Sequence, residues 1–328
     1  SIMMMRKMPD DLPERMPSVL HARLKLQHLA TLVSIGHHRN AHRTAQEMAL
    51  SQPAISKIIR EVEQLFGTVL FERGRAGMIP NRLGEALISR ATALLNDIDR
   101  TSDEIEAIAA GHIGSLRLGV IAFIAPDMIT RVLNRLGEEN VSLAVEIHEG
   151  TTQPLVAQLI AKELDCVIGR YSFEHESELD QKLLSQQRFS AVISRSHPAL
   201  RRGPITLADT ASFPWVVTPP RTAARQALTD MFMRAGLRAP DVRVETASME
   251  IMKAVLADCG MIGLLPLGIA TKYAAAGEVE VLDFQIDFPP APLMLIRRRD
   301  ELPLPSMERF CEALFEIAPQ VESPPGDN

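Results

Sequence analysis

The chain contains 328 residues, of which 46% are hydrophobic and 23% charged, a composition typical of a soluble globular protein with two or three domains. Its three cysteines stand far apart and no run of 18 apolar residues occurs, which argues against a disulfide framework, favours a reducing cytoplasm and excludes a membrane span. The net charge of −6 is unevenly distributed, because residues 1–82 carry 12 Lys and Arg against 7 Asp and Glu, and the remainder carries 23 against 34. A basic head on an acidic body predicts that only the head meets a polyanion.

Three amphipathic segments follow an N-terminal stretch, residues 1–23, that we expect to be a loose tail. Residues 49–51 form the turn before the third segment. Ser51 is a good N-cap there, and Pro53 lies in the first helical turn, where its missing N–H is harmless. The predicted helices are residues 26–37, 41–48 and 52–66.

The third helix buries one apolar stripe and exposes amide, hydroxyl and cationic groups along its N-terminal half. Such groups suit the major groove, where Gln pairs with adenine, Lys with guanine, and a Pro ring packs on a thymine methyl. An ordinary amphipathic helix with a solvated face is the alternative. A basic-tipped hairpin at about 70–80 follows as a wing, whose arginines would hold phosphates or enter the minor groove. The predicted DNA-binding residues are Ser51, Gln52, Pro53, Ser56, Lys57, Arg60, Arg73 and Arg75.

The head contains an ordered set of short motifs: Leu50-Ser51-Gln52-Pro53-Ala54-Ile55-Ser56, Leu65-Phe66-Gly67, Leu70-Phe71-Glu72-Arg73 and Leu83-Gly84. In these motifs it resembles the head of LysR-type transcriptional regulators. The resemblance implies a winged helix-turn-helix. Two departures occur, since Thr44-Ala45 replaces the usual alanine pair and Ile79-Pro80-Asn81-Arg82-Leu83-Gly84 replaces the usual Leu-Thr-x-x-Gly after the wing.

Residues from about 82 to 111 predict one long helix with a narrow apolar seam of heptad spacing, broken by Thr101. The helix would be roughly 40 Å long at about 1.5 Å per residue. Its seam needs a partner, and a second copy of the chain is the economical one, with packing against its own body as the alternative. The resemblance also implies a dimerising linker helix. The predicted dimerisation residues are Leu87, Ala91, Leu94, Ile98 and Ile105.

Beyond residue 112 strands and helices alternate, which predicts an α/β body with mainly parallel sheets. Strands are expected at about 115–121, 142–148, 164–169, 189–194, 215–218, 242–245, 261–265 and 292–297. The segments Gly114–Gly119, Gly150–Thr152, Leu164–Gly169 and His197-Pro198 resemble the LysR-type effector domain, which implies two lobes like those of periplasmic solute-binding proteins (type 2). The resulting scheme is a tail at 1–23, a winged head at 24–81, a linker helix at 82–111, an effector domain at 112–319 (lobe I at 115–184 and 297–319, lobe II at 185–296) and a tail at 320–328.

In such folds a ligand lies beyond the carboxyl ends of strands, near helix N-termini. Hydroxyls, helix N–H groups and arginines at these positions suit a small carboxylate or a polyol. Each hydroxyl is equally suited to plain helix capping, and each arginine to a surface charge. The low number of aromatic residues favours a nonaromatic carboxylate or a sugar-like ligand. The predicted effector-binding residues are Ala122, Phe123, Thr151, Thr152, Arg170, Pro219, Arg221, Thr222 and Ser248.

No motif for a dinucleotide, a phosphate loop, a serine nucleophile or a zinc protease occurs, so neither an enzyme nor a cofactor is expected. His38 and His42 have helical metal-ligand spacing without a further ligand, and no metal is expected. Cys166 and Cys259 are interpreted as buried small hydrophobes.

The leading hypothesis is a cytoplasmic transcription regulator that binds an inverted-repeat operator in double-stranded DNA and responds to a small-molecule effector. The resemblance implies a homodimer or homotetramer that contacts RNA polymerase, without a membrane. One alternative is a cytoplasmic solute-binding protein whose basic head serves assembly. Another is an enzyme in the two-lobed body, although no positioned nucleophile or acid–base pair supports it.

Overall fold

The computed structural model describes residues 20, 22–74, 77–282 and 289–322. Residue contacts divide the chain into two compact units, Ser1–Asp99 and Arg100–Asn328. Within the described ranges, no helix combines the length and the apolar character that crossing a membrane requires. Most of the expected N-terminal tail, the end of the C-terminal tail and Arg75 lie outside the described residues.

Three helices of the first unit lie between residues 26 and 66. They are α1 (Leu26–His38), α2 (Ala41–Glu47) and α3 (Gln52–Phe66). Asn40 starts α2, because its Oδ1 accepts hydrogen bonds from the backbone N–H groups of His42 and Arg43. Ser51 starts α3, where its Oγ accepts from the Ala54 N–H at 3.3 Å, and α3 has the predicted bounds. The apolar stripes of these helices meet in a core whose buried members are Leu29, Leu32, Ile35, Ile59, Val62, Leu70, Phe71, Met78 and Ala91.

A two-stranded antiparallel hairpin completes the winged fold. Its strands are β1 (Phe71–Gly74) and β2 (Gly77–Pro80). Asn81 joins the hairpin to the long helix α4 (Arg82–Ala109), since its Nδ2 donates to the Val69 carbonyl at 2.8 Å and its Oδ1 accepts from the Gly84 N–H at 2.9 Å. Glycine is needed at position 84, because a Cβ there would lie 2.3 Å from the Leu70 carbonyl oxygen.

The exposed seam of α4 is shorter than expected. Ala91 is fully buried in the core of the head, and Leu87 packs against the same core. Ala91 thus has no surface left for a second copy, which corrects its place among the dimerisation residues, because the helices of the head use this face of α4 to close their own core. Leu94, Ile98 and Ile105 remain 48%, 43% and 63% exposed.

The second unit contains two five-stranded sheets. Their strands are β3 (Ser115–Ile121), β4 (Ala144–Gly150), β5 (Cys166–Gly169), β6 (Leu179–Gln187), β7 (Phe189–Ile193), β8 (Pro214–Val217), β9 (Asp241–Glu245), β10 (Ile262–Pro266), β11 (Glu280–Val281) and β12 (Ala291–Arg298). The strand order is β4-β3-β5-β12-β6 in the first sheet and β11-β7-β10-β8-β9 in the second. In each sheet two strand pairs are parallel and two antiparallel, so the expectation of mainly parallel sheets is wrong. The chain crosses between the sheets and returns, and β12 enters the first sheet antiparallel to both of its neighbours.

The crossings between the lobes differ from the expected boundaries. Pairing in the first sheet continues to Gln187, and it resumes at Ala291. The chain therefore leaves the first lobe later than residue 184 and re-enters it earlier than residue 297. The C-terminal helix also continues past 319, to Glu322.

Helices cover both sheets. Those of the first lobe are α5 (Pro126–Glu138), α6 (Thr152–Ile160) and α11 (Pro305–Glu322). Those of the second lobe are α7 (Leu207–Thr210), α8 (Ala223–Arg234), α9 (Met249–Asp258) and α10 (Leu267–Ala275). Trp215 is fully buried in the second lobe, edge-on to Phe232 at 5.7 Å between ring centroids. Each sheet thus has its own core. The loops at the neighbouring edges of the two sheets line a cleft between the lobes.

Candidate functional site

Helix α3 turns its polar face to solvent. Gln52, Pro53, Lys57 and Arg60 are exposed, and Ser56 is half-buried. The Arg60 Nε donates to the Ser56 carbonyl at 3.2 Å, and the Lys57 ammonium is 75% exposed. The opposite face of α3 is buried, so the amide and the two cations are held on the solvent side, where they can donate hydrogen bonds to phosphates and to base acceptors.

Of the remaining DNA-binding candidates, one caps a helix, one is exposed on the wing and one lies outside the described residues. The Ser51 hydroxyl caps α3, so its oxygen already serves the helix. Arg73 is exposed on β1, where its guanidinium can meet a phosphate. Arg75 lies outside the described residues.

Glu61 links the polar face of α3 to α1. One carboxylate oxygen is 3.8 Å from the Lys57 Nζ, and the other is 3.4 Å from the Nε2 of the buried His28. The Nδ1 of His28 accepts from the Lys25 N–H at 3.2 Å, which assigns the proton of the neutral ring to Nε2. The Glu61 pair orients Lys57 without covering it, because that ammonium stays largely in solvent.

His38, near the end of α1, is paired with a carboxylate. The His38 Nε2 lies 2.9 Å from a carboxylate oxygen of Glu47, which also accepts the Ser34 hydroxyl. The Ser34 hydrogen bond lowers the pKa of Glu47. Among the described residues there is no group of three side chains that could hold a metal ion.

A cavity of about 830 Å³ lies between the two lobes of the second unit. Eight of the nine predicted effector-binding residues line it, namely Ala122, Phe123, Thr151, Thr152, Arg170, Pro219, Arg221 and Thr222. Ser248 is not among them, although the preceding Ala247 is, and the Ser248 hydroxyl caps α9 by accepting from the Ile251 N–H at 3.3 Å. Ser248 is therefore corrected to a capping residue.

Arg170 follows β5 and is hydrogen-bonded to the ends of β6 and β12, next to the crossings between the lobes. Its backbone N–H donates to Thr152 Oγ1 at 3.0 Å, and its Nη1 donates to the carbonyl oxygens of Ala291 and Pro292 at 3.4 and 3.3 Å. Its Nη2 donates to Gln187 Oε1. The guanidinium thus has a fixed position on the cavity wall.

Two helix N-termini face the cavity, and they differ in their caps. Thr222 caps α8, since its Oγ1 accepts from the Arg225 N–H at 3.3 Å and donates to the Pro219 carbonyl at 2.8 Å. Thr151 is the N-cap of α6 but makes no side-chain cap bond. The N-terminus of α6 therefore combines a partial positive charge with a hydroxyl that is not used for capping.

The structure adds cavity residues that the sequence did not single out. They are Ile121, Gly150, Gln153, Tyr171, Ser172, Phe173, Glu174, Phe189, Thr218, Ala223, Ala224, Gln226, Pro289, Pro290, Ala291 and Pro292. Four of the 14 aromatic residues of the chain are on the wall, which the total count used in the sequence analysis could not show. Eight of the additions lie in two segments, residues 171–174 before β6 and residues 289–292 around the start of β12.

The cysteines provide a further correction. Cys259 is exposed rather than buried, whereas Cys166 and Cys311 are buried. Burial raises the pKa of the Cys166 thiol and raises that of Cys311 to about 11. Neither buried thiol is therefore activated as a nucleophile.

A winged helix-turn-helix, a long helix and a two-lobed domain with a cleft define a DNA-binding transcription regulator with a ligand-binding domain. The "Bacterial regulatory helix-turn-helix protein, lysR family" model matches residues 26–85, and the "LysR substrate binding domain" model matches residues 109–318. The chain belongs to the LysR family of bacterial transcription regulators. Members of this family are regulators rather than enzymes, and the resemblance and the fold class predicted from the sequence are confirmed.

Named relatives and solved structures agree with this assignment. The chain is 29% identical to the transcriptional regulator GbpR of Azospirillum brasilense, over 88% of this chain and 85% of that protein. It is 26% identical to PcaQ of Agrobacterium fabrum, over 90% of this chain and 96% of that protein. The crystal structure of CbnR, a LysR family regulator, superposes with a TM-score of 0.61 at 19% identity, covering 90% of this chain and 99% of CbnR, so the two proteins share the fold.

Proposed function

We propose that this regulator binds an inverted-repeat operator as a homo-oligomer and changes its hold on that operator when a small carboxylate enters the interlobe cleft. It acts in the cytoplasm as a dimer of dimers and contacts RNA polymerase. The observation that carries the effector part is the N-terminus of α6, which lacks a side-chain cap and faces the cavity together with Arg170.

The DNA part of the proposal rests on the exposed face of α3. Gln52, Lys57 and Arg60 offer an amide and two cations on one helix that is held by a core on its other side. A recognition helix reads base edges with such groups, while the wing, here with Arg73, contacts the backbone. CbnR, which shares the fold, has been solved in complex with its target DNA.

The oligomer rests on the apolar stripe of α4. Leu94, Ile98 and Ile105 are each more than two-fifths exposed on one helix. Covering such a stripe with a partner stabilises the assembly by roughly 25 cal/mol for every Å² of apolar surface that is buried. A second α4 covers it with identical spacing, and a two-fold pair of heads then reads an inverted repeat.

The preference for a carboxylate rests on the charges around the cavity. Arg170 and Arg221 are the cationic side chains of its wall and Glu174 the acidic one, among the residues that the structure describes. The α6 N-terminus adds a further partial positive charge that favours an anion by about 0.3–1 kcal/mol. Thr151 and Gln153 supply a hydroxyl and an amide for the oxygens of a carboxylate or for a sugar-like hydroxyl beside it.

Selection of genomic fragments by the purified protein, followed by footprinting of the recovered DNA at two salt concentrations, tests the DNA part. We expect a protected inverted repeat with half-sites about one or more helical turns apart. Lys57→Ala should abolish specific protection, whereas Lys182→Ala, a matched exposed lysine on β6, should leave it intact. Weak retention that does not depend on sequence and disappears with salt would contradict the proposal.

Calorimetric titration with small carboxylates and with sugars tests the effector part. We expect a carboxylate to bind, and Thr151→Val to weaken that binding because it removes a hydroxyl at the α6 N-terminus. Thr229→Val on α8 removes a hydroxyl that bonds within its own helix and should have no effect on affinity. Binding of neutral sugars alone would refute the choice of a carboxylate.

A further inference from the structure

An aromatic pair is displayed at the edge of the interlobe cavity. Phe173 lines the cavity and is nevertheless 82% exposed. The ring of Tyr171 lies edge-on to it, with centroids 5.0 Å apart and an interplanar angle of 65°. Two neighbouring aromatic rings on a cavity wall can cover an apolar part of a ligand that enters the cavity.

The segment that carries this pair is held firmly by its neighbours. The Ser172 N–H donates to Gln181 Oε1 at 2.9 Å, and Gln181 Nε2 donates back to the Ser172 carbonyl at 2.8 Å. The Tyr171 hydroxyl donates to the carboxylate of Glu176. Phe173 directly follows these two residues, so its backbone is anchored although its side chain is exposed.

The same segment is tied to the proposed carboxylate site. Glu174 Oε1 accepts a hydrogen bond from Gln153 Nε2 at 2.8 Å, and Gln153 belongs to the first turn of α6. The aromatic pair and the uncapped helix N-terminus with Thr151 are thereby joined side by side. Thr151 and both rings line the same cavity, so one ligand can contact them together.

The other parts of the wall are also stiff and apolar. Two further rings contact the cavity, Phe123 and Phe189, and Arg170 lies over the second at 5.9 Å from its centroid. The five prolines on the wall are Pro219, Pro220, Pro289, Pro290 and Pro292. Rigid rings lose little conformational freedom when they cover a flat ligand.

We infer that the effector is an aryl carboxylate whose planar ring packs against Phe173 and Tyr171 while its carboxylate lies at the α6 N-terminus. The inference rests on the proposed function of the cleft and adds the ring to it. It also replaces the nonaromatic preference of the sequence analysis, because four aromatic side chains line this cavity despite the low total count.

Matched pairs of acids test the ring separately from the carboxylate. Benzoate is compared with cyclohexanecarboxylate, and phenylacetate with cyclohexylacetate, by saturation-transfer NMR and calorimetry on the full-length protein. We expect the planar acid of a pair to bind about two- to tenfold more tightly, the range that an aromatic contact adds beyond buried area.

Phe173→Leu keeps an apolar side chain and should abolish that preference, whereas Phe315→Leu, an aromatic residue of α11 that does not line the cavity, should retain it. A saturated acid that binds as well as its planar counterpart, or a preference that survives Phe173→Leu, would overturn the inference and leave the carboxylate site standing. Binding of uncharged compounds alone, or of no acid at all, would overturn both.

Discussion

The junction between the wing and the long helix offers a sharp test, because Gly84 has no room for a side chain. A Cβ at this position would lie 2.3 Å from the Leu70 carbonyl oxygen and 3.0 Å from the Pro80 Cβ. The Leu70 oxygen also accepts the Asn81 N–H at 2.9 Å, so it cannot retreat without losing a hydrogen bond. Gly84→Ala must therefore push the start of α4 away from the wing.

The expected cost follows from three contributions. Forcing a methyl group into a filled space costs about 1–3 kcal/mol, and losing the Asn81 hydrogen bond costs about 1 kcal/mol. Alanine in a helix returns about 1 kcal/mol relative to glycine. Gly84→Ala should therefore destabilise the first unit by about 1–3 kcal/mol, although alanine is the better helix former.

Gly137 in α5 provides the matched control, because a Cβ there would meet nothing within 4 Å. Gly137→Ala should stabilise the second unit by up to about 1 kcal/mol. The two effects separate in urea, since Trp215 is the single tryptophan of the chain and its fluorescence reports the second unit, whereas circular dichroism reports both.

Gly84→Ala should lower the urea concentration at the midpoint of the head's unfolding, as followed by circular dichroism. The midpoint followed by Trp215 fluorescence should stay unchanged, and operator binding should weaken. A neutral or stabilising Gly84→Ala, equal to Gly137→Ala, would refute the claim that the linker helix is locked against the wing.

Two further outcomes follow from burial. Burial raises the pKa of the Cys166 thiol and raises that of Cys311 to about 11, so only about one Cys311 thiol in a thousand is ionised at pH 8. Cys259 is exposed, and we therefore expect a thiol reagent to react rapidly with the native protein at this one site. Rapid modification of two or three thiols would contradict this. Leu94→Glu with Ile98→Glu should convert the oligomer to smaller species in light scattering, because both side chains lie on the exposed stripe of α4, and an unchanged mass would exclude that stripe as the interface.

The sequence predicts most reliably the elements whose local and global signals agree. Helix α3 carries an N-cap, a proline in its first turn and one apolar stripe, and its predicted bounds match the structure. Strand β3 alternates apolar residues, Leu116, Leu118 and Val120, with other residues, and it pairs in parallel with β4 and β5; its bounds also match. The cavity candidates were predicted from the rule that ligands of such folds lie beyond the carboxyl ends of strands. Eight of the nine predicted residues line the cavity.

Other features depend on tertiary contacts that a single sequence does not display. Strand β6 lies at a sheet edge and pairs on one side only, so its polar sequence shows no apolar run. Ala91 fits the heptad seam, yet the core of the head covers it first. Cys259 ends a helix that buries its opposite face, and composition alone suggested the interior. The aromatic wall was missed because a count of residue types carries no position.

The measurement that tests the central claim most directly is a footprint of the selected operator with and without a carboxylate that binds the cleft. A ligand shifts the protein only if it binds two states with different affinity, and those states must hold DNA differently. We expect the ligand to change the protection of one half-site in the wild-type protein, and Thr151→Val to require more ligand for the same change. A ligand that binds the cleft at saturating concentration and leaves the footprint identical would show that the cleft does not control operator binding.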